Sequence, residues 1–218
     1  MRAGILPPLY VVTNRHQTGH RPLRSVLRET LQTGTRLVQL REKDLSTRRL
    51  LDVAQTILTR AKLALSPVLI NDRLDVAMAV GTAGVHLRSD SLPVKEARKC
   101  LGPNRIIGVS VHSVDEAWHC QDDGADFVVL GPVFDTPSKR AFGPPLGLQA
   151  ISGASAVCSL PIYAIGGITI DQVKKVREAG AYGVAVISAI WQSDNPFQVV
   201  KDFITRLDVP EHLVPPMK

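Results

Sequence analysis

Eight short apolar runs rich in β-branched residues recur along the chain, separated by longer segments of mixed polarity. Most of the runs are continuously apolar, which is typical of strands buried on both faces of a parallel sheet. They lie at residues 9–13, 37–41, 68–72, 84–87, 106–112, 127–133, 162–167 and 183–189. The pattern therefore predicts eight parallel strands.

The segments between the runs show helical spacing. Apolar residues recur at intervals of three and four from Leu50 to Ala61, and a second helix is predicted from Thr169 to Gly180. A glycine also stands two or three residues before four of the runs, where a helix can close with a left-handed residue. These glycines are Gly34, Gly81, Gly124 and Gly180. The similar junctions indicate one repeated βα unit.

Eight βα units within 218 residues predict an α/β fold, a single-domain (β/α)8 TIM barrel. We expect the barrel to occupy residues 1–208 and the proline-containing segment 209–218 to form a loose tail. An open doubly wound sheet is the alternative. It is disfavoured because no Gly-x-Gly-x-x-Gly follows the first run.

Composition narrows the class of function. No stretch approaches the ~18 apolar residues that span a bilayer, and the N-terminus reaches a strand too soon for a secretory signal, so we expect a cytoplasmic protein and no membrane partner. Three widely spaced cysteines argue against structural zinc and disulfides.

The net charge of +6 is compatible with an anionic partner. The basic residues are scattered and only ten aromatics are present, which disfavours nucleic acid. Binding of a small anion would explain the excess of positive charge, and so would a surface charge that merely favours solubility. The sequence does not decide whether the protein forms a homo-oligomer.

In a TIM barrel, reactive groups belong at the carboxyl ends of the strands. The ends of these runs supply Gln39, Arg41, Lys43, Asn71, Asp72, Asp90, Ser91, Ser110, His112, Thr136, Ser138, Lys139, Gly167 and Ser188. Arginine can bind phosphate oxygens bidentately, lysines act as point charges, and the carboxylates of Asp72 and Asp90 are hard ligands for Mg²⁺. Gly166 and Gly167, just before a helix start, can form a second anion site from backbone N–H groups. The set predicts binding of a small phosphate ester together with magnesium.

Each signal has a simpler reading. Residues 39–43 could be an ordinary amphiphilic strand end, and Asn71–Asp72 could cap the helix that starts near Leu74. The pair Gly166–Gly167 could be only a turn, and His86 is expected to be a hydrogen-bonded core residue rather than a ligand. The functional reading gains weight because the signals converge on one end of one barrel.

The ordered motifs resemble those of thiamine phosphate synthases from residue 9 to about residue 205. They are Leu-Tyr-Val-Val-Thr at 9–13, Gln-Leu-Arg-Glu-Lys at 39–43, Ile-Asn-Asp-Arg at 70–73, Gly-Val-His-Leu at 84–87, Gly-Val-Ser-Val-His at 108–112, Gly-Pro-Val-Phe-x-Thr-Pro-Ser-Lys at 131–139, Pro-Pro-Leu-Gly-Leu at 144–148, Ala-Ile-Gly-Gly-Ile at 164–168 and Gly-Val-Ala-Val-Ile-Ser-Ala at 183–189. A sister branch of the family, the thiazole tautomerases, shares the fold and much of the site.

The resemblance implies that hydroxymethylpyrimidine diphosphate is joined to hydroxyethylthiazole phosphate, or to its carboxylate form, with release of pyrophosphate. It also implies a dissociative mechanism and the following roles. Gln39, Arg41, Lys43 and Asn71 would hold the pyrimidine diphosphate, Asp72 would bind Mg²⁺, Ser110 would lie beside the pyrimidine, Thr136, Ser138 and Lys139 would contact the phosphates, and Gly167, Ile187 and Ser188 would bind the thiazole phosphate.

One stretch departs from the family pattern. Where synthases usually read Gly-Gln-Glu-Asp-Leu-Pro, this chain reads Arg-Ser-Asp-Ser-Leu-Pro at 88–93. Ser91 thus occupies the position of the second magnesium ligand, Asp90 lies one residue early, and Arg88 replaces a glycine.

The departure and the motif at residues 110–113 resemble the tautomerase branch, in which His112 would inherit the role of acid and base. Lys43, Asn71–Asp72 and the Thr136, Ser138, Lys139 series favour a synthase. We therefore expect a synthase, with the catalytic set Lys139, Ser110 and His112. A thiazole tautomerase and a non-catalytic binder of phosphate ligands are the alternatives.

Overall fold

The computed structural model describes residues 6–32 and 36–207, apart from the side chain of Phe142. In this part of the chain eight parallel strands close into a barrel, because each strand pairs with the next and the eighth pairs with the first. The strands are β1 Leu9–Val12, β2 Leu37–Leu40, β3 Val68–Asn71, β4 Gly84–Leu87, β5 Ile106–Val111, β6 Phe127–Leu130, β7 Ile162–Ile165 and β8 Gly183–Val186. The prediction of a TIM barrel is confirmed.

Helices follow the strands and form the outer layer. They are α1 Leu23–Leu31, α2 Thr47–Leu63, α3 Leu74–Val80, α4 Val94–Leu101, α5 Val114–Asp122, α6 Gly147–Val157, α7 Val173–Glu178, α8 Ser188–Trp191 and α9 Pro196–Leu207, with 3₁₀ turns at Arg15–Gln17, Pro137–Phe142 and Ile170–Gln172. Within residues 6–32 and 36–207, no helix is both long and apolar enough to cross a bilayer. The predicted tail 209–218 and Gly34 lie outside the described residues.

The alternation of side chains divides each strand between two apolar layers. Tyr10, Phe127 and Tyr163 fill the barrel interior, and their ring centroids lie 5.2 to 5.7 Å apart. Val38 and Leu40 point the other way and share the larger cluster with the buried face of α2. Because the interior is packed, a ligand has access only at the ends of the barrel.

The predicted junctions between helix and strand are confirmed at the three glycines that lie within the described residues. Gly81, Gly124 and Gly180 all have a positive φ, between 68° and 103°. Each helix thus closes with a left-handed residue and returns the chain to the sheet with its next strand parallel to the last. The polar strand ends are consequently gathered at one mouth.

Candidate active site at the mouth of the barrel

The end of β2 carries Gln39 within the strand, and Arg41 and Lys43 follow just beyond it. Gln39 is buried and its Nε2 donates to the hydroxyl of Tyr10 at 2.9 Å. Burial raises the pKa of Tyr10, so this phenol stays neutral and fixes the amide. Arg41, two residues on, is half-buried where the strand gives way to the mouth.

A buried anchor that sequence reasoning missed holds the backbone around Arg41. The hydroxyl of Thr13 donates to Glu42 at 2.7 Å and accepts the backbone N–H of Arg41 at 2.9 Å. The backbone N–H of Arg15 also donates to the Glu42 carboxylate, at 3.1 and 3.2 Å. These bonds tie the end of β1 to the end of β2. A signal for the anchor existed in the sequence, since Thr13 ends one motif and Glu42 lies within another.

Four cations from three different loops converge on the mouth. Burial lowers the pKa of Lys43, and the charges of Arg41, Arg88 and Lys139 lower it further. Burial is also the main cause that lowers the pKa of Arg41. Such mutual repulsion between fixed cations is relieved when a multiply charged anion binds among them.

The end of β3 carries a carboxylate in an unusual backbone conformation. Asp72 has φ +65°, and its N–H donates to the carbonyl of His86 at 2.9 Å. Non-glycine residues in this region cluster at functional sites. The residue that precedes α3 is Arg73, and no side chain caps that helix. The capping interpretation of Asn71–Asp72 is therefore not supported.

Asp72 and Asp90 have different surroundings. The hydroxyl of Ser91 donates to Asp72, and the Nε of Arg88 lies 3.9 Å from the same carboxylate. Asp90 is instead bound by two nitrogens of Arg88, and its side chain is 70% exposed. Across the described residues, no three His, Cys, Asp or Glu side chains converge to hold a metal.

One carboxylate with a neighbouring hydroxyl still fits magnesium, which usually keeps several waters and takes further ligands from substrate phosphates. Asp72 and Ser91 therefore remain the residues suited to the ion. The role of Asp90 as a ligand stays a prediction.

Ser110 lies on β5 against a buried histidine. Its hydroxyl is 2.9 Å from Nε2 of His86, whose ring packs between Tyr10 and Phe127. Burial, aided by the charge of Arg41, lowers the pKa of His86 to about 3. The ring is therefore neutral at physiological pH. His86 is a core residue as expected, but its Nδ1 has no hydrogen-bond partner in the described part of the chain.

His112 is exposed just beyond β5. Its Nδ1 lies 2.6 Å from the carbonyl of Gly131. A carbonyl only accepts, so Nδ1 carries a proton, and in the neutral imidazole Nε2 is therefore the acceptor. This tautomer suits a general base.

Beyond β6, the residues predicted to contact phosphates lie at a 3₁₀ turn, with Thr136 just before it and Ser138 and Lys139 within it. The backbone N–H of Lys139 donates to the carbonyl of Thr136 at 2.9 Å, and Ser138 and Lys139 are exposed. The hydroxyl of Thr136 does not cap the turn. An ion pair between Asp135 and Arg140 braces the segment from outside.

The loop after β7 is shaped by the backbone conformation of two glycines. Gly166 and Gly167 have φ +100° and +65°, and a Cβ on Gly167 would lie 2.4 Å from the carbonyl oxygen of Asp135. The pair is thus a turn, but one pressed against the loop after β6. Within the described residues the N–H of Gly167 donates to no acceptor.

The loop after β8 adds a second set of backbone donors. Ile187 precedes α8, which begins at Ser188. The N–H groups of Ile190 and Trp191 donate to the carbonyl of Ile187, whereas within the described residues those of Ser188 and Ala189 donate to no acceptor.

Fold and mouth together define a TIM barrel that presents clustered cations and backbone N–H groups to phosphate. The chain matches the model of the thiamine monophosphate synthase family over residues 9–190 and belongs to that family. Membership places it among the transferases of thiamine biosynthesis.

Individual relatives agree with this. The chain is 42% identical over 182 residues to the thiamine-phosphate synthase of Moorella thermoacetica, covering 84% of this chain and 87% of that protein. It is 40% identical over 188 residues to that of Roseiflexus sp., covering 86% and 80%. The structure of thiamine phosphate pyrophosphorylase from Pyrococcus furiosus superposes with a TM-score of 0.81 at 30% identity, over 91% of this chain and 94% of that one.

Proposed function

We propose that this chain is a thiamine-phosphate synthase that joins hydroxymethylpyrimidine diphosphate to hydroxyethylthiazole phosphate, or to its carboxylate form, and releases pyrophosphate. The observation that carries the proposal is the cluster of Arg41, Lys43 and Lys139 around one mouth, beside the carboxylate of Asp72, in a member of this family. A diphosphate leaving group is the kind of anion that such a cluster stabilises.

The pyrimidine diphosphate lies on the side of the mouth formed by β2 to β5. Arg41 and Lys43 bind the diphosphate oxygens, with Gln39 and Asn71 beside them. Ser110, held by neutral His86, contacts the pyrimidine ring. This arrangement places the reacting carbon over the packed interior, where bulk water is scarce.

The reaction begins when the bond between the pyrimidine methylene carbon and the diphosphate oxygen breaks. Both electrons leave with the oxygen, and a pyrimidinylmethyl cation remains. The cations of the mouth stabilise the charge that develops on the diphosphate, while Lys139 contacts it together with Thr136 and Ser138. The thiazole nitrogen then donates its lone pair to the carbon, which gives thiamine phosphate from hydroxyethylthiazole phosphate. With the carboxylate form, the carboxylate also leaves as CO₂, and the electrons of its bond stay on the thiazole ring.

Magnesium belongs to the proposal through Asp72, with the hydroxyl of Ser91 beside it and Asp90 nearby. When bound, the ion neutralises part of the diphosphate charge. The thiazole phosphate is held by the N–H groups around Gly167, Ile187 and Ser188, and the loop after β8 of a TIM barrel is a frequent phosphate site.

The direct test incubates the purified protein with both substrates and Mg²⁺ and measures thiamine phosphate and pyrophosphate in equal amounts. Isomerisation of the thiazole carboxylate phosphate without formation of thiamine phosphate would overturn the proposal. Tight binding of pyrophosphate with neither turnover would favour a non-catalytic binder.

A thiazole tautomerase is the second candidate, and the orientation of His112 favours it. Its Nε2 is set as an acceptor by the 2.6 Å contact of Nδ1 with Gly131, which suits removal of a proton from the thiazole. His112→Ala should reduce the tautomerase rate far more than the synthase rate. Equal losses in the two rates would remove this support.

A further inference from the structure

Arg88 lies between the two carboxylates that the sequence suggests for magnesium. It is the first residue after β4, and its Nε donates to Asp90 at 2.8 Å. The same Nε is 3.9 Å from Asp72. The guanidinium therefore pairs with Asp90 directly and lies close to Asp72, the two carboxylates that would otherwise attract a divalent cation.

Arg88 also faces the cations of the diphosphate side. It lines a cleft of about 150 Å³ together with Lys43, Asn71 and Asp72. Its charge acts on Lys43 and on Arg41, lowering the pKa of both beyond the effect of burial. No described residue accepts from its Nη1, so the guanidinium has donors to spare for a phosphate.

Arg73 provides a comparison within the same cleft. Its side chain is 37% exposed, against 39% for Arg88, and it too binds the aspartate two residues later. Its Nη2, however, donates to Thr47, and among the described residues it pairs with Asp75 and not with Asp72. Of these two arginines, Arg88 is the one that lies beside Asp72 and faces Lys43 and Arg41.

We propose that Arg88 is a resident cation of the diphosphate subsite, which exchanges Asp90 for a diphosphate oxygen and makes pyrophosphate binding only weakly dependent on magnesium. Arginine suits this role because its planar fork matches phosphate geometry and stays charged at all working pH values. The proposal rests on the diphosphate site of the proposed function. Its test measures binding rather than turnover, so a chain that binds pyrophosphate as described but forms no thiamine phosphate refutes only the function.

The experiment is isothermal titration of pyrophosphate into wild type and Arg88→Ala, in EDTA and in saturating Mg²⁺. Wild type should bind in EDTA, with magnesium tightening the binding by less than about tenfold. Arg88→Ala should bind about 10- to 100-fold more weakly in EDTA, as expected for loss of charge-assisted hydrogen bonds, and should recover most of that loss in Mg²⁺. Wild type that needs magnesium to bind, or a variant that binds like wild type in EDTA, would overturn the proposal.

The matched control is Arg73→Ala, which should bind pyrophosphate in EDTA as wild type does. An equal loss in this variant would mean that any cation of the cleft serves, which overturns the assignment to Arg88. Binding of Mn²⁺ alone, followed by electron paramagnetic resonance, gives a second readout. Arg88→Ala should bind Mn²⁺ more tightly than wild type because Asp72 and Asp90 lose their competing cation, and unchanged binding contradicts this.

Discussion

Two sides of the barrel mouth achieve their geometry by different means. The charged side, residues 39–43, 71–72 and 88–91, is held chiefly by hydrogen bonds that side chains make, among them those of buried Gln39, of the neighbouring Thr13 and of Arg88. The glycine side, residues 131–139, 166–167 and 187–188, is set by the packing of one backbone on another. We therefore expect the charged side to be most sensitive to the loss of a side chain, and the glycine side to an added Cβ at Gly166 or Gly167.

This difference matches what we propose that each side binds. A diphosphate that leaves during the reaction needs strong, movable countercharges, which long side chains supply. A phosphate that only anchors a second substrate needs a fixed position, which backbone N–H groups supply. Lys139 is the exception, because a side chain from the glycine side reaches the cation cluster of the other side.

The largest effect on activity should come from Lys139, the side chain that reaches from the glycine side to the charged side. Lys139→Ala should lower kcat/KM of the synthase reaction by about 10²- to 10³-fold, because a cation that stabilises the leaving diphosphate is lost. Steady-state kinetics of thiamine phosphate formation measure this. Arg140→Ala is the matched control, since Arg140 lies next along the same turn but pairs with Asp135. Near-normal activity of Lys139→Ala would mean that the glycine side contributes backbone alone.

A smaller effect is expected from Gly167→Ala. The new Cβ would lie 2.4 Å from the carbonyl oxygen of Asp135 in a residue with φ +65°, so the loop must shift. We expect about 1–3 kcal/mol of lost stability for the backbone conformation alone, more for the clash, and a KM for the thiazole phosphate raised about tenfold. Urea unfolding and initial rates measure the two quantities.

The variant Gly124→Ala separates the effect of the backbone conformation from the effect of the clash. Gly124 has φ +89°, but an added Cβ would have only Arg98 within reach, at 4.0 Å. It should lose stability through the backbone conformation alone and keep its KM. Equal destabilisation of the two variants would contradict the close packing of the loops after β6 and β7.

Sequence reasoning predicted the barrel because the fold depends on repetition. Eight continuous apolar runs and the glycines before them leave few other arrangements, and each strand lies within its predicted run. The strands end one to three residues earlier than predicted in most cases. The sequence motifs continue into the loops, whereas the ladder hydrogen bonds stop at the rim.

The site was less predictable because it depends on pairings between loops. Which partner Arg88 takes depends on how residues 88–91 fold back on Asp72, and no periodicity encodes that. Alternation along β2 does account for Gln39, whose side chain faces Tyr10 in the barrel interior. The positive φ of Asp72 could not be read from its residue type, because aspartate is equally common in ordinary turns.

The smallest effect concerns His86, which is buried beneath the charged side, and the dependence of stability on pH. Because the folded pKa of His86 is about 3, below the ordinary value of 6.5, the unfolded chain binds more protons between these values. Stability is full above pH 6.5 and falls toward pH 3, by at most ~1.4 kcal/mol per pH unit from this residue. Urea unfolding of wild type and His86→Gln at pH 7 and pH 5 should give a flatter dependence in the variant. His119→Gln, an exposed site on α5, should retain the wild-type slope, and equal slopes for all three proteins would contradict a neutral, buried His86.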